Sequence, residues 1–314
     1  LMNQDCKIIV FGAAGLVGQN LCLRLYEKGY RKVIGIDKNV NNSKILESLE
    51  VCDQVINEDI RSINSWSAVA EDADIFIIAH AQISSLHRQD FVINNVEATR
   101  SILHYLKNKN DVYVIHISSS VVNSLAEDFY TETKGTQEKE VVSSLENYCV
   151  LRPTLMFGWF DRKHFGWLSR FMKKIPIFPI PGDGNFMRQP LYVGDFCKII
   201  IECINLRPRK KVFNISGMTK IPYIDIIRTI KKINKSTAAI FCIPVFLFRY
   251  LLQFYSLFVR NPPFTSSQLD ALIISEDFPT DDWEKIFSVK STTFDFAMTE
   301  TLTDAKYSKI ELEF

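Results

Sequence analysis

Hydrophobic positions run in short, unbroken blocks through the first half of the chain. Residues 6–13 (CKIIVFGA), 32–37 (KVIGID), 74–81 (DIFIIAHA), 112–120 (VYVIHISSS) and 148–153 (YCVLRP) show no strict alternation with polar positions, and 54–57 (QVIN) is a weaker example. Continuous Val/Ile-rich runs predict parallel strands covered on both faces. Stretches with helical spacing separate them, notably 16–29, 91–107 and 126–145. Strand and helix in alternation predict βαβ units, and so an α/β fold built on a doubly wound parallel sheet.

The second half reads differently. Pro and Gly punctuate 176–184 (PIFPIPGDG), and helical patterns then dominate, with one further short strand at 212–216. This predicts a smaller, mostly helical lobe. The expected division is a first domain over 1–164 that also receives about 191–216, and a lobe made of 165–190 and 217–314. The apolar run 239–259 has the length of a membrane span. Arg249, Gln253 and Pro244 interrupt it, and a charge at the bilayer centre is costly. A buried or surface-docking helix is expected instead, with peripheral membrane contact as the alternative and no integral span.

Composition narrows the function classes. The chain has 314 residues, 47% hydrophobic and 23% charged, with formal net charge +1. At roughly 150 residues per domain this is one large domain or two smaller ones, with no global electrostatic case for nucleic acid. The seven cysteines are scattered singly, without metal-ligand spacing, so no metal site is expected and the thiols read as buried and reduced. The first ten residues do not read as a signal peptide. A cytoplasmic, soluble protein is the expectation.

The chemistry begins at Gly12-Ala-Ala-Gly15-Leu16-Val17-Gly18, after a strand and opening a helix. A tight turn, close backbone approach and close helix packing each want glycine, and the helix start then faces a pyrophosphate. Asp37 ends the second strand, 19 residues after Gly18. A carboxylate there accepts hydrogen bonds from an adenosine ribose and repels a 2′-phosphate, which favours NAD over NADP. Asp59 and Ile60, after the third strand, are candidates for the adenine side. The alternatives are small-residue packing for the glycines and a solvated strand end for Asp37.

Tyr130 and Lys134 stand at i and i+4 and share a helix face. A lysine ammonium near a phenol lowers its pKa and makes Tyr130 a general acid/base. An ordinary exposed Tyr/Lys pair is the alternative, and Glu138, one turn on, pairs with Lys134 in that case. Ser118, Ser119 and Ser120 lie at the end of the fifth strand, where an open α/β sheet binds ligands; a turn that caps backbone groups is the competing reading.

Together these features resemble the extended short-chain dehydrogenase/reductase family, in its NAD-dependent sugar epimerase/dehydratase branch. GAAGLVG, Asp37, Asn95 in NNVEAT, the serine cluster, YTETKGTQE, LRPTLMFG and PIPGDGNFMRQPLYVGD carry the likeness, which covers most of the chain. It implies a Rossmann domain with a substrate-binding lobe, NAD as cofactor, a nucleotide sugar as substrate and a homodimer. Tyr130 is then the acid/base and Lys134 the residue that binds nicotinamide ribose. Ser119 is the catalytic serine, because Val122 follows at the family's spacing, and Ser120 is the rival placement. Ala79, Ala81 and Asn95 join the cofactor shell. Arg188 contacts the nucleotide phosphates by charge-assisted hydrogen bonds.

Several positions depart from that pattern. Tyr130 follows Ser119 by only eleven positions, and Asn123-Ser124 replace the usual tyrosine–glycine, which implies a more open site or closure by another segment. His80 stands where the family often has alanine, and faces either the reacting groups or the core. Thr154-Leu155 replace an asparagine motif of UDP-galactose epimerases. The expected activity is hydride transfer at a sugar carbon, as a 4-epimerase or 4-ketoreductase in surface-polysaccharide or sugar-nucleotide metabolism. A 4,6-dehydratase ranks lower, because Ser120-Val121 is no carboxylate pair. Two other readings stand beside it: a 3β-hydroxysteroid- or isoprenoid-type dehydrogenase, and a non-catalytic nucleotide-binding subunit like that of respiratory complex I. The stretch from 262 to 287 resembles both the latter group and bacterial sugar epimerases.

Overall fold

The apolar blocks of the sequence become the inner strands of one sheet. A computed structural model describes residues 4–109, 111–124, 128–258 and 266–313. Along the first half run β1 (Ile8–Phe11), α1 (Leu16–Glu27), β2 (Val33–Asp37), α2 (Val40–Ser48), β3 (Gln54–Asn57), α3 (Ile63–Trp66), β4 (Ile75–Ile78), α4 (Arg88–Phe91), α5 (Ala98–Leu106), β5 (Tyr113–Ile117), α6 (Phe129–Ser144) and β6 (Tyr148–Pro153). Along the second half run β7 (Met156–Phe157), α7 (Phe165–Met172), β8 (Ile177–Pro181), β9 (Met187–Arg188), β10 (Leu191–Tyr192), α8 (Val193–Leu206), β11 (Lys211–Ile215), β12 (Ile221–Pro222), α9 (Tyr223–Asn234), β13 (Ala239–Ile243), α10 (Val245–Ser256), α11 (Ser266–Ile273), α12 (Trp283–Phe287) and α13 (Phe294–Thr303).

Seven strands pair in the order β11-β6-β5-β4-β1-β2-β3, every pair parallel. Every residue of β1, β4 and β5 is buried, as continuous apolar strands require. Side chains alternate between faces. Ile8 and Val10 join Leu21, Phe196 and Ile200 on one side, and Ile9 and Phe11 join Trp66, Phe76 and Ile102 on the other. Each such burial stabilises the fold by about 1.5–3 kcal/mol. The chain winds outward from β1 to β3, then crosses back to β4. The carboxyl ends of β1 and β4 therefore flank the point where strand order reverses, which is where such sheets hold ligands.

A third core gathers Phe157, Phe165, Phe178, Ile180, Tyr223, Ile226 and Met298 under α7, α9 and α13. Residues assigned from sequence to the small lobe also return to the sheet: Trp283, Phe287, Val289 and Leu312 pack into the first core. The run 239–259 departs from the expected single helix. Its start is β13, in register with β8, and Pro244 separates that strand from α10. Nor is α10 buried: Phe246, Tyr250 and Phe254 are exposed. Among the described residues no helix is long and apolar enough to cross a membrane. All seven cysteines are free, and Cys242 on β13 is exposed rather than buried.

Candidate active site

The three glycines of the first loop have three different reasons to be glycine. Gly12 has φ +79°, and a Cβ on it would stand 2.5 Å from the His80 backbone nitrogen. A Cβ on Gly18 would stand 2.3 Å from the Gly12 carbonyl oxygen. These two allow the turn and the approach of α1 to it. Gly15 is different: its Cβ would meet only the Gly12 oxygen, at 3.5 Å. It caps α1 without a side-chain hydrogen bond, and the first turn of α1 carries no acidic residue. The helix start thus keeps backbone N–H groups free to meet an anion. Leu16 and Val17 follow with side chains turned to the first core.

Asp37 completes this cradle from the tip of β2. Its carboxylate accepts from Ala14 N at 3.1 Å and from Asn39 N at 2.9 Å. Burial raises its pKa, and these two donors oppose the rise. Lys38, next to it in sequence, donates to Asn94 Oδ1 at 2.6 Å. A pyrophosphate-bearing dinucleotide fits the set: a bare glycine at the helix start, and a carboxylate at the strand tip for a ribose. Asp59 stands just after β3. It holds Arg61 through two contacts of 3.1 and 2.9 Å, and Arg61 lowers its pKa. The Ile60 side chain lies in the second core.

On the other side of the switch point, α6 begins with Asp128 accepting from Thr131 N at 2.8 Å. That cap places Tyr130 in the first turn, with Lys134 and Glu138 one and two turns on. Ser119 caps the short turn after β5, accepting from Val121 N at 3.4 Å. Burial pushes the Tyr130 phenol up, the Ser119 hydroxyl beside it pulls it down, and Asp128 pushes it up, with a net rise. The phenol is thus raised, not lowered as its i, i+4 spacing from Lys134 suggested. Lys134 is almost wholly buried and donates to the Ile117 carbonyl at 3.0 Å and to Gln137 Oε1 at 2.5 Å. Burial brings its pKa down to about 7, against the opposing charge of Glu138.

The neighbouring polar groups were not legible as a set. Gln137 Nε2 donates to Thr99 Oγ1 at 2.8 Å and lies 3.3 Å from His80 Nε2, which is 3.1 Å from Thr99 Oγ1. His80 is thus a buried member of this cluster. Among the described residues its Nδ1 has no hydrogen-bond partner, and burial, then the Lys134 charge, lower its pKa to about 3. Ala79 and His80 carry the backbone that passes behind Gly12, and Ala81 beyond them is exposed. Asn95 Oδ1 accepts from Gln82 N at 2.6 Å, and Asn95 Nδ2 donates to Thr133 Oγ1 at 3.0 Å. Asn95 sits in a π-helical turn, Val92–Glu97, a widening that is frequent at functional sites.

The remaining candidates separate. Ser118 Oγ donates to Glu138 Oε2 at 2.5 Å, and Arg152 Nε reaches the same carboxylate at 3.1 and 3.2 Å. Glu138 therefore serves Arg152 and Ser118 rather than pairing with Lys134 on the surface. Ser120 is buried in the turn. Asn123, at the position that departs from the family pattern, accepts from Arg152 Nη1 at 2.9 Å and donates to Asn214 Oδ1 at 2.9 Å. Another segment, β11, thus closes that side. Arg188 is not free: it forms an ion pair with Glu276, and both side chains are largely buried.

Comparison with known proteins places this geometry. The profile of the NAD dependent epimerase/dehydratase family matches residues 8–216. The mouse protein "NADH dehydrogenase [ubiquinone] 1 alpha subcomplex subunit 9, mitochondrial" is 23% identical over 277 residues, 87% of this chain and 73% of its own length. Among solved structures, UDP-glucuronic acid 4-epimerase from Bacillus cereus in complex with NAD superposes with a TM-score of 0.65 at 23% identity, over 85% of this chain and 99% of that one. UDP-glucose 4-epimerase from Thermotoga maritima, with UDP-glucose, gives a TM-score of 0.73 at 15% identity, over 94% and 97%. At such identities the two structures speak for the fold.

Proposed function

Since the chain belongs to the NAD-dependent epimerase/dehydratase family, we propose that it acts on a nucleotide-activated sugar by reversible oxidation at a sugar carbon, as a 4-epimerase or 4-ketoreductase. The observation that carries this reading is the hydrogen bond between the Ser119 and Tyr130 side chains, after β5, in the sheet whose β1 leads into the Gly12–Gly18 loop. A hydroxyl next to a phenol at the carboxyl ends of the strands suits proton transfer at a sugar oxygen. The B. cereus and T. maritima proteins, whose names carry such an activity, share the fold.

NAD, bound at the glycine loop, supplies the two-electron redox partner. The protein's own part is proton transfer and placement. Tyr130 Oη would take the proton of the reacting sugar hydroxyl on oxidation, once deprotonated itself, and return it when the carbonyl is reduced. Ser119 Oγ donates a hydrogen bond to the same oxygen. Lys134, held by Ile117 and Gln137, would be the residue that meets the nicotinamide ribose. Asp37 accepts from the far ribose. In an epimerase the keto sugar would turn over within the site and be reduced on its other face, whereas a 4-ketoreductase would start from a 4-keto sugar and NADH and release the alcohol.

A second reading, a nucleotide-binding structural subunit, draws on the likeness to the mitochondrial proteins. The experiment incubates purified protein with UDP-, dTDP- and GDP-sugars, following sugar composition by NMR and NADH by absorbance, beside Tyr130→Phe. Epimer without net NADH change supports epimerisation. Stoichiometric NADH consumption with a 4-keto sugar supports reduction. Binding of NAD with silence toward every sugar would favour the structural subunit.

A further inference from the structure

Helix α10 is built inside out for a helix on a water-soluble protein. Its one charged side chain, Arg249, turns toward α11 and forms an ion pair with Asp270, with a contact of 3.0 Å. The side chains at 246, 247, 250, 251 and 254, spaced by one and four residues, share the opposite face. They are Phe246, Leu247, Tyr250, Leu251 and Phe254, all exposed, at 66, 43, 66, 50 and 62%. Leu257 and Phe258 extend the stripe beyond the helix end, at 78 and 73%. Phe241 on β13 and Ile177 on β8 add exposed apolar groups on the strand pair that leads into it. Scattered exposed apolar residues are ordinary, but a contiguous patch of this kind marks a surface that meets something apolar.

The charges around the stripe say what that is. From 226 to 269 the sequence contains no Asp or Glu, while it holds Arg228, Lys231, Lys232, Lys235, Arg249 and Arg260, in a chain whose net charge is only +1. Lys231, Lys232 and Lys235 close α9 and lead into β13. Lys173 and Lys174 close α7, whose Ser169 is tied to Asn234 by hydrogen bonds of 3.0 and 3.1 Å. The two lysine groups thus come together at the start of the β8–β13 pair, and α10 follows its end. Aromatic and aliphatic side chains on one helix face, with lysines nearby and no carboxylate in the stretch, match an anionic lipid surface. Arg228 and Arg249 are held by Asp225 and Asp270, so the charge that faces outward is that of Lys231, Lys232 and Lys235 with Lys173 and Lys174, and a cognate apolar protein face would not call for that lysine cluster.

We infer that α10 and the strand pair before it seat this protein on an anionic membrane surface, with the apolar stripe lying in the lipid headgroup boundary. The protein lies on the bilayer and does not cross it. Seating is independent of which sugar the enzyme uses. It also brings the membrane close to the second lobe, because α11 bonds both to α10 through Asp270 and to Arg188 through the Leu272 carbonyl at 3.4 Å.

The test is flotation of the full chain with vesicles of phosphatidylcholine alone and of phosphatidylcholine with phosphatidylglycerol. Light scattering records the oligomeric state in the same buffers. The expected result is flotation with the anionic vesicles, weakened by salt. Phe246→Glu combined with Phe254→Glu, both on the exposed face, should lower vesicle partitioning by at least about tenfold. Lys231→Gln, Lys232→Gln and Lys235→Gln together should lower partitioning to anionic vesicles by about tenfold or more and leave the neutral ones unchanged. Thermal melts of each variant that match the parent chain keep the comparison on the surface. No flotation, or equal flotation of parent and double-glutamate variant, overturns the inference. So does a parent oligomer that the double-glutamate variant dissolves while vesicle binding is absent, since a second copy then covers the stripe.

Discussion

Gln137 Oε1, three residues further along the same helix, accepts a hydrogen bond from Lys134 Nζ at 2.5 Å. The ammonium that sequence spacing aims at Tyr130 is thus shared between a side-chain amide and the Ile117 carbonyl. Gln137 is in turn fixed by Thr99, so the lysine's position is set by residues outside the YxxxK pattern. A hydrogen bond to a charged group contributes about 1.5–3 kcal/mol. Gln137→Leu should therefore drop kcat/KM roughly tenfold or more at neutral pH. Loss of the acceptor favours neutral Lys134 and moves its pKa below about 7, so part of the activity should return at lower pH. Gln137→Glu should restore it. The pH profile of kcat/KM is the measurement, and a profile unchanged in Gln137→Leu would reduce Gln137 to packing.

The glycine loop offers a contrast between two substitutions. Gly12→Ala puts a Cβ within 2.8 Å of three backbone atoms at a φ of +79°. It should destabilise the fold itself, by several kcal/mol, as backbone strain and overpacking add. Gly15→Ala meets no such obstacle and should melt within a few degrees of the parent chain. Its methyl group enters the face left bare at the start of α1, so it should weaken NAD binding at least about tenfold, from loss of close backbone approach. Calorimetric melts and NAD titration separate the two. Normal NAD affinity in Gly15→Ala would place the pyrophosphate elsewhere.

Much of the fold was legible because its signals are local. The block QVIN is β3 and YCVLRP is β6, residue for residue, and the 126–145 pattern is α6 to within a few residues. Gly12 and Asp37 were legible because the strand before each fixes where it points. What the sequence hid depends on side chains meeting across the fold. Arg188 and Glu276 are 88 positions apart, and nothing local pairs them. Glu138 reads as a surface partner of Lys134 at i+4, yet β5 and β6 bring Ser118 and Arg152 to it first. The 239–259 run misled for another reason. Its composition is apolar on both sides of Pro244, which alone marks the change from strand to helix, and period alone cannot tell a buried face from an exposed one.

Acid should unfold this protein partly through His80. Its folded pKa is about 3 against an ordinary 6.5. Between those values the unfolded chain binds the proton and the folded chain does not, so stability falls as pH falls through that window. His116, also buried and also shifted down, adds in the same direction. Lys134 acts at higher pH: unfolded it is protonated up to about 10.5, folded only below about 7. Stability should therefore rise with pH between about 7 and 10.5 from this residue. Chemical denaturation across pH 4–10 checks both. His80→Leu should flatten the acid limb, and Lys134→Met the basic one. Limbs unaltered by these changes would assign the pH dependence to other groups.

The Arg188–Glu276 pair bears on how phosphates enter. Burial lowers the pKa of Arg188, and the Glu276 carboxylate opposes that shift. Glu276 also accepts from the Gln189 backbone nitrogen at 2.8 Å, so it is held in place whether or not Arg188 leaves it. A substrate diphosphate reaching Arg188 must share the guanidinium with that carboxylate or displace it. Glu276→Gln removes the competitor and leaves a mostly buried cation without its counter-charge, at a cost of about 3–5 kcal/mol for a fully buried pair, less here because both groups keep some exposure. The variant should melt lower than the parent chain, and a UDP-sugar or pyrophosphate should recover more of its stability than it adds to the parent. Its KM for a nucleotide sugar should fall. Arg188→Met should do the reverse, raising KM with little change in kcat, because the contact lies away from the reacting carbon. Thermal shift with and without ligand, followed by steady-state kinetics, reads both effects. Equal ligand stabilisation in parent and Glu276→Gln, with KM unchanged in Arg188→Met, would make the pair a lock between β9 and the segment after α11, with no part in substrate binding.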